Sequence, residues 1–307
     1  PRSTRCTSRR QRQMCIRDRA QLLAQHPDAR IVAGATDLFL EVTQGLKRLP
    51  KLIDIRAATD LRALTCDERG LHIGAGVTHH EATAPVLREF PELAELIERF
   101  GSLQIRSHGT IAGNIANASP VGDWPPVLLA LNAILQLQSE AGIRELPIDE
   151  FFLGYRKTAL APGEFVSGIT LPRRPHNLLL RAYKISKRYE DDISSVCGVF
   201  ALEITDEAVE GARVAFGGMA AVPARAPGCE SALLGRELDD DTLDGAARAL
   251  DEDFSPITDA RASAGYRQRV AKNLLQRLAL EARGVEPTRA YPVDYIGKPS
   301  AGAAGQL

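Results

Sequence analysis

The spacing of apolar positions changes several times along the chain, and each change marks an element. "RIVAGATDLFLEVTQG" (30–45) predicts a short buried strand at Ile31 to Ala33, a tight turn at Gly34, and a helix presenting Leu38, Phe39 and Val42 on one face. "KLIDIR" (51–56) predicts a strand, and "LHIGAGVTHHEATAPVLREF" (71–90) a strand followed by a helix. The helical period continues through "PELAELIERFGSLQIRS" (91–107) until Gly101 ends it. A run of small residues follows, then an apolar helix "PPVLLALNA", a strand "AILQLQ", and the segment "ELPIDEFFLGYRKTALAPGEFVSGITLP".

Proline and charge concentrate in "PRRPHN" (172–177), between two apolar runs, which places a domain boundary there. Beyond it, "LLLRAYKIS", "VCGVFALEI" and "ARVAFGGMA" alternate as strands. Helices are expected near 240–251 and 263–282, the last with Val270, Leu274, Leu275, Leu278 and Leu280 on its apolar face. The pattern divides the chain into 20–174, 177–285 and a loose tail at 286–307, with no internal repeat.

Composition is that of a globular protein, with 44% hydrophobic and 25% charged residues over 307 positions, enough for two cores. The formal net charge of −1 hides an asymmetry. Residues 1–19 hold seven arginines and one acid, and the remainder holds 31 basic against 38 acidic residues. An acidic body argues against nucleic acid as a partner. The opening "PRSTRCTSRRQRQMCIRDR" has no hydrophobic period and resembles translated adapter sequence, so residues 1–19 are expected to be a non-native or disordered leader outside the fold. Cys6, Cys15, Cys66, Cys197 and Cys229 form no CxxC and no metal-ligand spacing. That scatter predicts reduced thiols in a cytoplasmic protein. No stretch reaches the ~18 apolar residues of a membrane span.

Three motifs have ordinary structural explanations. "IGAGVTH" (73–79) begins like a dinucleotide-binding turn but places His79 where a third glycine belongs, and Thr78 with Glu81 spells a helix capping box. His72, His79 and His80 lack a carboxylate or cysteine at ligand spacing and read as surface or cap residues, so no metal site is expected. No serine carries the signature of an acyl-enzyme nucleophile, and no catalytic side chain is assigned.

The run "TIAGNIANASPVGD" (110–123) is different, because it is too poor in large apolar groups to bury much surface. It is either a solvated linker or a backbone held close to something else. The second reading gives it chemistry. Gly113 and the alanines would let main-chain amides approach a diphosphate, while Thr110, Asn114, Asn117 and Ser119 offer uncharged hydrogen bonds and Asp123 an acceptor for a hydroxyl. "AGATD" (33–37) has the same character, with the amides of Ala35, Thr36 and Asp37 facing outward at a helix start.

These two loops, together with "LQIRSHGTIAGNIANASPVGDWPPVLLALNA", "YRKTALAPGEFVSGITLP" and "YKISKRYEDDISSV", resemble in order and spacing the FAD-binding portion of the xanthine dehydrogenase family of molybdenum hydroxylases, notably the small subunit of the bacterial enzymes. The likeness covers roughly 20–285, and "GYRQRVAKNLLQRLAL" is similar to the C-terminal domain of carbon monoxide dehydrogenase flavoproteins. It implies an α+β fold: an FAD-binding domain of the p-cresol methylhydroxylase type, in two subdomains, followed by a small sheet-plus-helix domain. By motif match, Val32, Ala33, Gly34, Ala35, Thr36 and Asp37 would line the diphosphate and adenosine side, and Thr110, Gly113 and Asn114 the second loop. Asp123 would take a cofactor hydroxyl, and Val166 and Lys184 would lie near the flavin or adenine.

The acidic "YEDDI" (189–193) resembles a mobile loop beside the isoalloxazine that influences whether NAD or oxygen takes the electrons. The implied function is electron transfer from [2Fe-2S] clusters through FAD to NAD during oxidation of xanthine or hypoxanthine. A molybdopterin-binding large subunit and a [2Fe-2S] domain or subunit would be partners, since this chain has no cluster cysteines. A carbon monoxide or aldehyde dehydrogenase flavoprotein subunit is the alternative within the family. An assembly subunit without FAD is the alternative outside it.

Overall fold

The computed structural model describes residues 16–285. The expected tail at 286–307 and residues 1–15 of the expected leader lie outside the described residues. The other four leader residues belong to the fold. Helix α1 (Ile16–Gln25) places Ala20 and Leu23 in the core at helical spacing. Arg19, only 4% exposed, donates from Nε to the Asp54 carbonyl at 2.9 Å. The arginine stem packs as an apolar group while its head finds a backbone acceptor, which composition alone does not foretell.

Strand β1 (Arg30–Val32), one-turn helix α2 (Leu40–Thr43) and strand β2 (Leu52–Asp54) follow, with β1 and β2 parallel and Val32 opposite Asp54. Next come β3 (Leu64–Asp67), β4 (Gly70–Gly74), α3 (His79–Glu89), α4 (Ala94–Glu98), α5 (Leu103–His108), α6 (Ile111–Ala116) and α7 (Trp124–Ala130). After them lie β5 (Ile134–Ser139), β6 (Gly142–Pro147), the short hairpin β7 (Phe152–Gly154) and β8 (Lys157–Thr158), and β9 (Phe165–Pro172). The order β3-β4-β9-β5-β6 makes an antiparallel sheet. The capping box is formed as the spacing predicts: Glu81 N donates to Thr78 Oγ1, and Thr78 N donates to Glu81 Oε2.

Residues 173–177 lead into β10 (Leu178–Ile185), β11 (Val196–Thr205), β12 (Ala208–Gly217) and β13 (Ala224–Arg225), an antiparallel sheet in that order. Helices α8 (Pro227–Leu233), α9 (Asp240–Asp253) and α10 (Ala264–Ala282) complete the chain. The period of two along these strands sorts their side chains between two cores. Leu178 and Leu180 of β10, with Cys197, Val199 and Ala201 of β11, join the core of the first domain. Tyr183, Val196, Phe200, Leu202, Val214 and Phe216 face α8, α9 and α10 instead. The second domain therefore meets the first through a whole sheet face.

Two apolar faces differ from expectation. Phe39 and Val42 are 45% and 41% exposed, because the helix after the first loop is a single turn with nothing packed on that side among the described residues. On α10, Leu274, Leu275 and Leu278 are buried but Leu280 is 48% exposed, since it lies off the stripe that contacts the sheet.

Candidate functional site

The two small-residue loops lie against each other. Gly34, two residues after β1, lies against the His108–Gly109 peptide, where any Cβ would overlap the His108 carbonyl oxygen. A Cβ on Gly109 would lie 3.3 Å from Thr36 Oγ1, and Asn117 Nδ2 donates to Asp37 Oδ2 at 3.0 Å. Thus the requirement for glycine at 34 comes from this close approach of two backbones. The turn itself is carried by Ala35, whose φ of +61° lies in the left-handed region that L-residues enter at a cost of about 1–2 kcal/mol. Among the described residues, the amides of Gly34, Ala35, Thr36 and Asp37 donate to no protein acceptor. Successive free amides turned by a left-handed residue make an anion-binding concavity.

The second loop is more ordered than a loop. Thr110 caps α6, with Gly113 N donating to Thr110 Oγ1 at 3.0 Å and Asn114 N to the Thr110 carbonyl at 3.0 Å. The amide of Gly113 itself is therefore claimed by the short helix. What Gly113 leaves open is space. It is exposed, and a Cβ there would find nothing within 4 Å except Thr110 Oγ1. The Asn114 side-chain carbonyl beside it is buried and accepts no hydrogen bond within the described protein. A buried amide oxygen normally has a partner, so this one marks a place for a donor from outside the chain. Free amides, an open glycine face and an orphaned acceptor together suit a phosphate- and hydroxyl-bearing cofactor.

Asp123 ends the second loop in a buried cluster. Lys184 Nζ donates to Asp123 Oδ2 at 2.7 Å and to Ser194 Oγ at 2.9 Å, and Ser194 Oγ donates to Asp123 Oδ1 at 2.5 Å. Asp123 and Lys184 are each 4% exposed. Asp123 is the residue before α7 but forms no side-chain cap, because Pro125 and Pro126 remove amides it would need and its carboxylate turns toward β10. Both charges are satisfied within the protein, and each carboxylate oxygen keeps a lone pair for a further donor. Burial also pushes the neighbouring Cys197 thiol up, with the Asp123 carboxylate adding to the shift, so this cysteine stays a thiol.

Other expected residues fall in different settings. Val166 is the second residue of β9, 5% exposed, and part of the first core. Val32 is likewise buried, and Ala33 is half-buried after it. In the acidic segment Asp192 accepts from Arg188 N at 2.9 Å and Arg188 Nη2 at 3.2 Å, leaving Glu190 and Asp191 exposed. Arg99 grips the same segment from α4's end, donating to the Tyr189 carbonyl at 3.0 Å with its guanidinium 4.5 Å from the Tyr189 ring centre.

His79, expected as a surface or cap residue, is the first residue of α3 after the Thr78 cap and is only 3% exposed. Its ring lies 4.5 Å from Phe100 and 5.9 Å from Trp124, and its amide donates to the Gly109 carbonyl at 2.9 Å. Burial, aided by the nearby Arg106 cation, lowers its pKa to about 3, so it supports the second loop as a neutral aromatic group. The sequence hint was its position at the first turn of an apolar helix, which a metal-ligand search overlooks. Ser194 had no sequence signal at all, since its role depends on a contact 71 residues away.

Known proteins match this chain along most of its length. Residues 10–174 match the family described as the FAD binding domain in molybdopterin dehydrogenase, and residues 181–282 the CO dehydrogenase flavoprotein C-terminal domain. The nicotine 6-hydroxylase medium subunit of Paenarthrobacter nicotinovorans is 30% identical over 269 residues, covering 87% of this chain and 94% of that protein. Xanthine dehydrogenase of Emericella nidulans is 31% identical over 258 residues, covering 80% of this chain but only 19% of that much longer protein. Among solved structures, carbon monoxide dehydrogenase from Hydrogenophaga pseudoflava superposes with a TM-score of 0.82 at 27% identity, covering 88% of this chain and 95% of that one. The α+β architecture and the order of its two domains are those the sequence resemblance implied. Relatives named for nicotine, xanthine and carbon monoxide leave the resemblance to bacterial xanthine dehydrogenase at the level of the wider group. The chain thus belongs to the FAD-binding flavoproteins of the molybdopterin dehydrogenases, a family of oxidoreductases.

Proposed function

We propose that this chain is the electron-transfer subunit that holds FAD between a [2Fe-2S] partner and NAD, in an assembly whose molybdopterin-binding large subunit oxidises xanthine or hypoxanthine. The observation that carries the cofactor reading is the meeting of the two loops, with free amides at 34–37, open space over Gly113 and an unpartnered Asn114 carbonyl. FAD, when bound, supplies the redox chemistry, accepting electrons singly from clusters and releasing them in pairs to a nicotinamide. The protein supplies position. The amides of Ala35, Thr36 and Asp37 would hold the diphosphate, Asn114 would accept from the cofactor, and Asp123 would use its spare lone pairs toward a hydroxyl while Lys184 fixes its orientation. Val32, Ala33 and Gly34 would shape the wall of the first loop, Thr110 and Gly113 that of the second, and Val166 and Lys184 would lie near the flavin or adenine.

A second reading takes a different substrate. The nicotine 6-hydroxylase medium subunit is matched along nearly its whole length, which favours a separate flavoprotein subunit serving another N-heterocycle hydroxylase. In both readings the isolated chain, loaded with FAD, should pass electrons from NADH to an artificial dye and oxidise no purine. Purine oxidation by this chain alone, or no dye reduction by the yellow protein with NADH, would contradict the proposal. Adding a purine-oxidising molybdenum subunit and a [2Fe-2S] subunit should produce purine-dependent NAD reduction; activity with only a non-purine heterocycle would select the second reading.

A further inference from the structure

The Asp123 cluster is held in place by something outside the cofactor domain. Lys184 and Ser194 belong to the second domain, and Ser195, next to Ser194, is 3% exposed. Arg267 on α10 is 1% exposed, and its Nη1 donates both to the Ser195 carbonyl and to the Gly218 carbonyl, the latter at 2.9 Å. Its Nη2 donates to Asp259 Oδ1 at 2.6 Å. Gly218 in turn donates its amide to the Pro120 carbonyl at 2.7 Å, inside the second loop. Next to it, a Cβ on Gly217 would lie 3.2 Å from the Gly122 carbonyl and 3.1 Å from Pro126. One guanidinium therefore fixes the two backbone points, Ser195 and Gly218, through which the second domain reaches both Asp123 and the Pro120–Gly122 stretch.

We propose that Arg267 is a positioning residue for the cofactor site: it latches Ser195 to Gly218 so that Ser194, Lys184 and the second loop meet in register around Asp123. The inference rests on the reading of Asp123 and the second loop as part of the FAD site. The planar fork of arginine suits the task, since adjacent N–H groups can reach two carbonyls and a carboxylate at once, which an ammonium cannot do with the same geometry. Asp259 keeps the fork oriented. Burial alone would raise the Asp259 pKa, but the amides of Ala262 and Arg261 and the Arg267 cation hold it down to about 2. The Asp259 carboxylate thus stays charged at any working pH.

The test compares three single variants of the full chain. Arg267→Lys keeps a cation for Asp259 but loses the fork, and Ser194→Ala removes the last hydroxyl of the relay with little change of volume. Arg225→Lys weakens an ion pair with Glu230 elsewhere in the second domain and serves as the control. Each apoprotein is titrated with FAD well below its melting temperature, and the visible spectrum of the bound flavin is recorded. Arg267→Lys and Ser194→Ala should each lower FAD affinity by about threefold to thirtyfold. Both should also shift the bound-flavin bands, whereas Arg225→Lys should bind and absorb as the wild type. Folded Ser194→Ala and Arg267→Lys proteins with unchanged affinity and spectrum overturn the latch and leave the site intact. Where Arg267→Lys yields no folded protein, Ser194→Ala decides alone. A wild-type apoprotein that takes up no FAD overturns the site reading, and the latch with it.

Discussion

The first and second loops look alike in sequence and are built in opposite ways. Residues 34–37 leave their amides free and hold a left-handed alanine, so the first loop is open and strained. Residues 110–123 spend most of their polar groups inside the protein: Thr110 caps α6, Asp123 binds Lys184 and Ser194, and Pro120 accepts from Gly218. The difference separates two jobs. One loop offers donors to a ligand, while the other provides a rigid wall anchored to the second domain, with the exposed face of Gly113 and the buried, unpartnered Asn114 carbonyl as its remaining features. Preorganisation of this kind lowers the ordering cost of binding.

The comparison can be broken most severely at the anchored end. Replacing Asp123 with alanine leaves Lys184 buried without a counter-charge, and losing one member of a buried pair costs about 3–5 kcal/mol. The apoprotein should show a correspondingly lower urea midpoint with an unchanged slope. A stability equal to the wild type would mean that the pair is not buried as described. At the contact between the loops, Gly34→Ala forces a Cβ into the His108 carbonyl. Overpacking of this kind costs about 1–3 kcal/mol, and it should be visible as a lowered melting temperature in the absence of any ligand.

A smaller effect should appear on acidification. The folded pKa of His79, about 3, lies below the ordinary histidine value, so the unfolded chain takes up the proton first. The stability present above about pH 6.5 is lost as pH falls toward about 3, by up to about 1.4 kcal/mol for each pH unit. Between pH 6.5 and 5 the urea stability of the wild type should fall more steeply than that of His79→Phe, which keeps an aromatic ring under Gly109 without a titrating group. Equal slopes would place the His79 ring in contact with water.

Local signals were legible before any fold was known. The Thr78/Glu81 capping box and the small-residue character of both loops depend on neighbours a few positions apart. Contacts between distant segments were not. Nothing near Gly34 announces the His108 carbonyl, and nothing near Ser194 or Arg267 announces Asp123 or Gly218. The burial of His79, read as a surface or cap residue, was hidden as well, since the aromatic neighbours Phe100 and Trp124 that bury it arrive from later in the chain. The capping of α6 by Thr110 went unread too: a threonine three residues before a glycine can cap a short helix, and here it does.

The central claim, that the open face of Gly113 in the second loop is where FAD lies, is tested most directly by Gly113→Val. A Cβ at this exposed position would lie 3.0 Å from Thr110 Oγ1, a contact a small shift of that side chain relieves, so the apoprotein should keep its circular dichroism spectrum and lose no more than a few degrees of melting temperature. Wild-type apoprotein titrated with FAD should quench the flavin fluorescence to saturation, while the folded Gly113→Val protein should show no saturable quenching over the same range. A Gly113→Val protein that binds FAD with wild-type affinity would contradict the account.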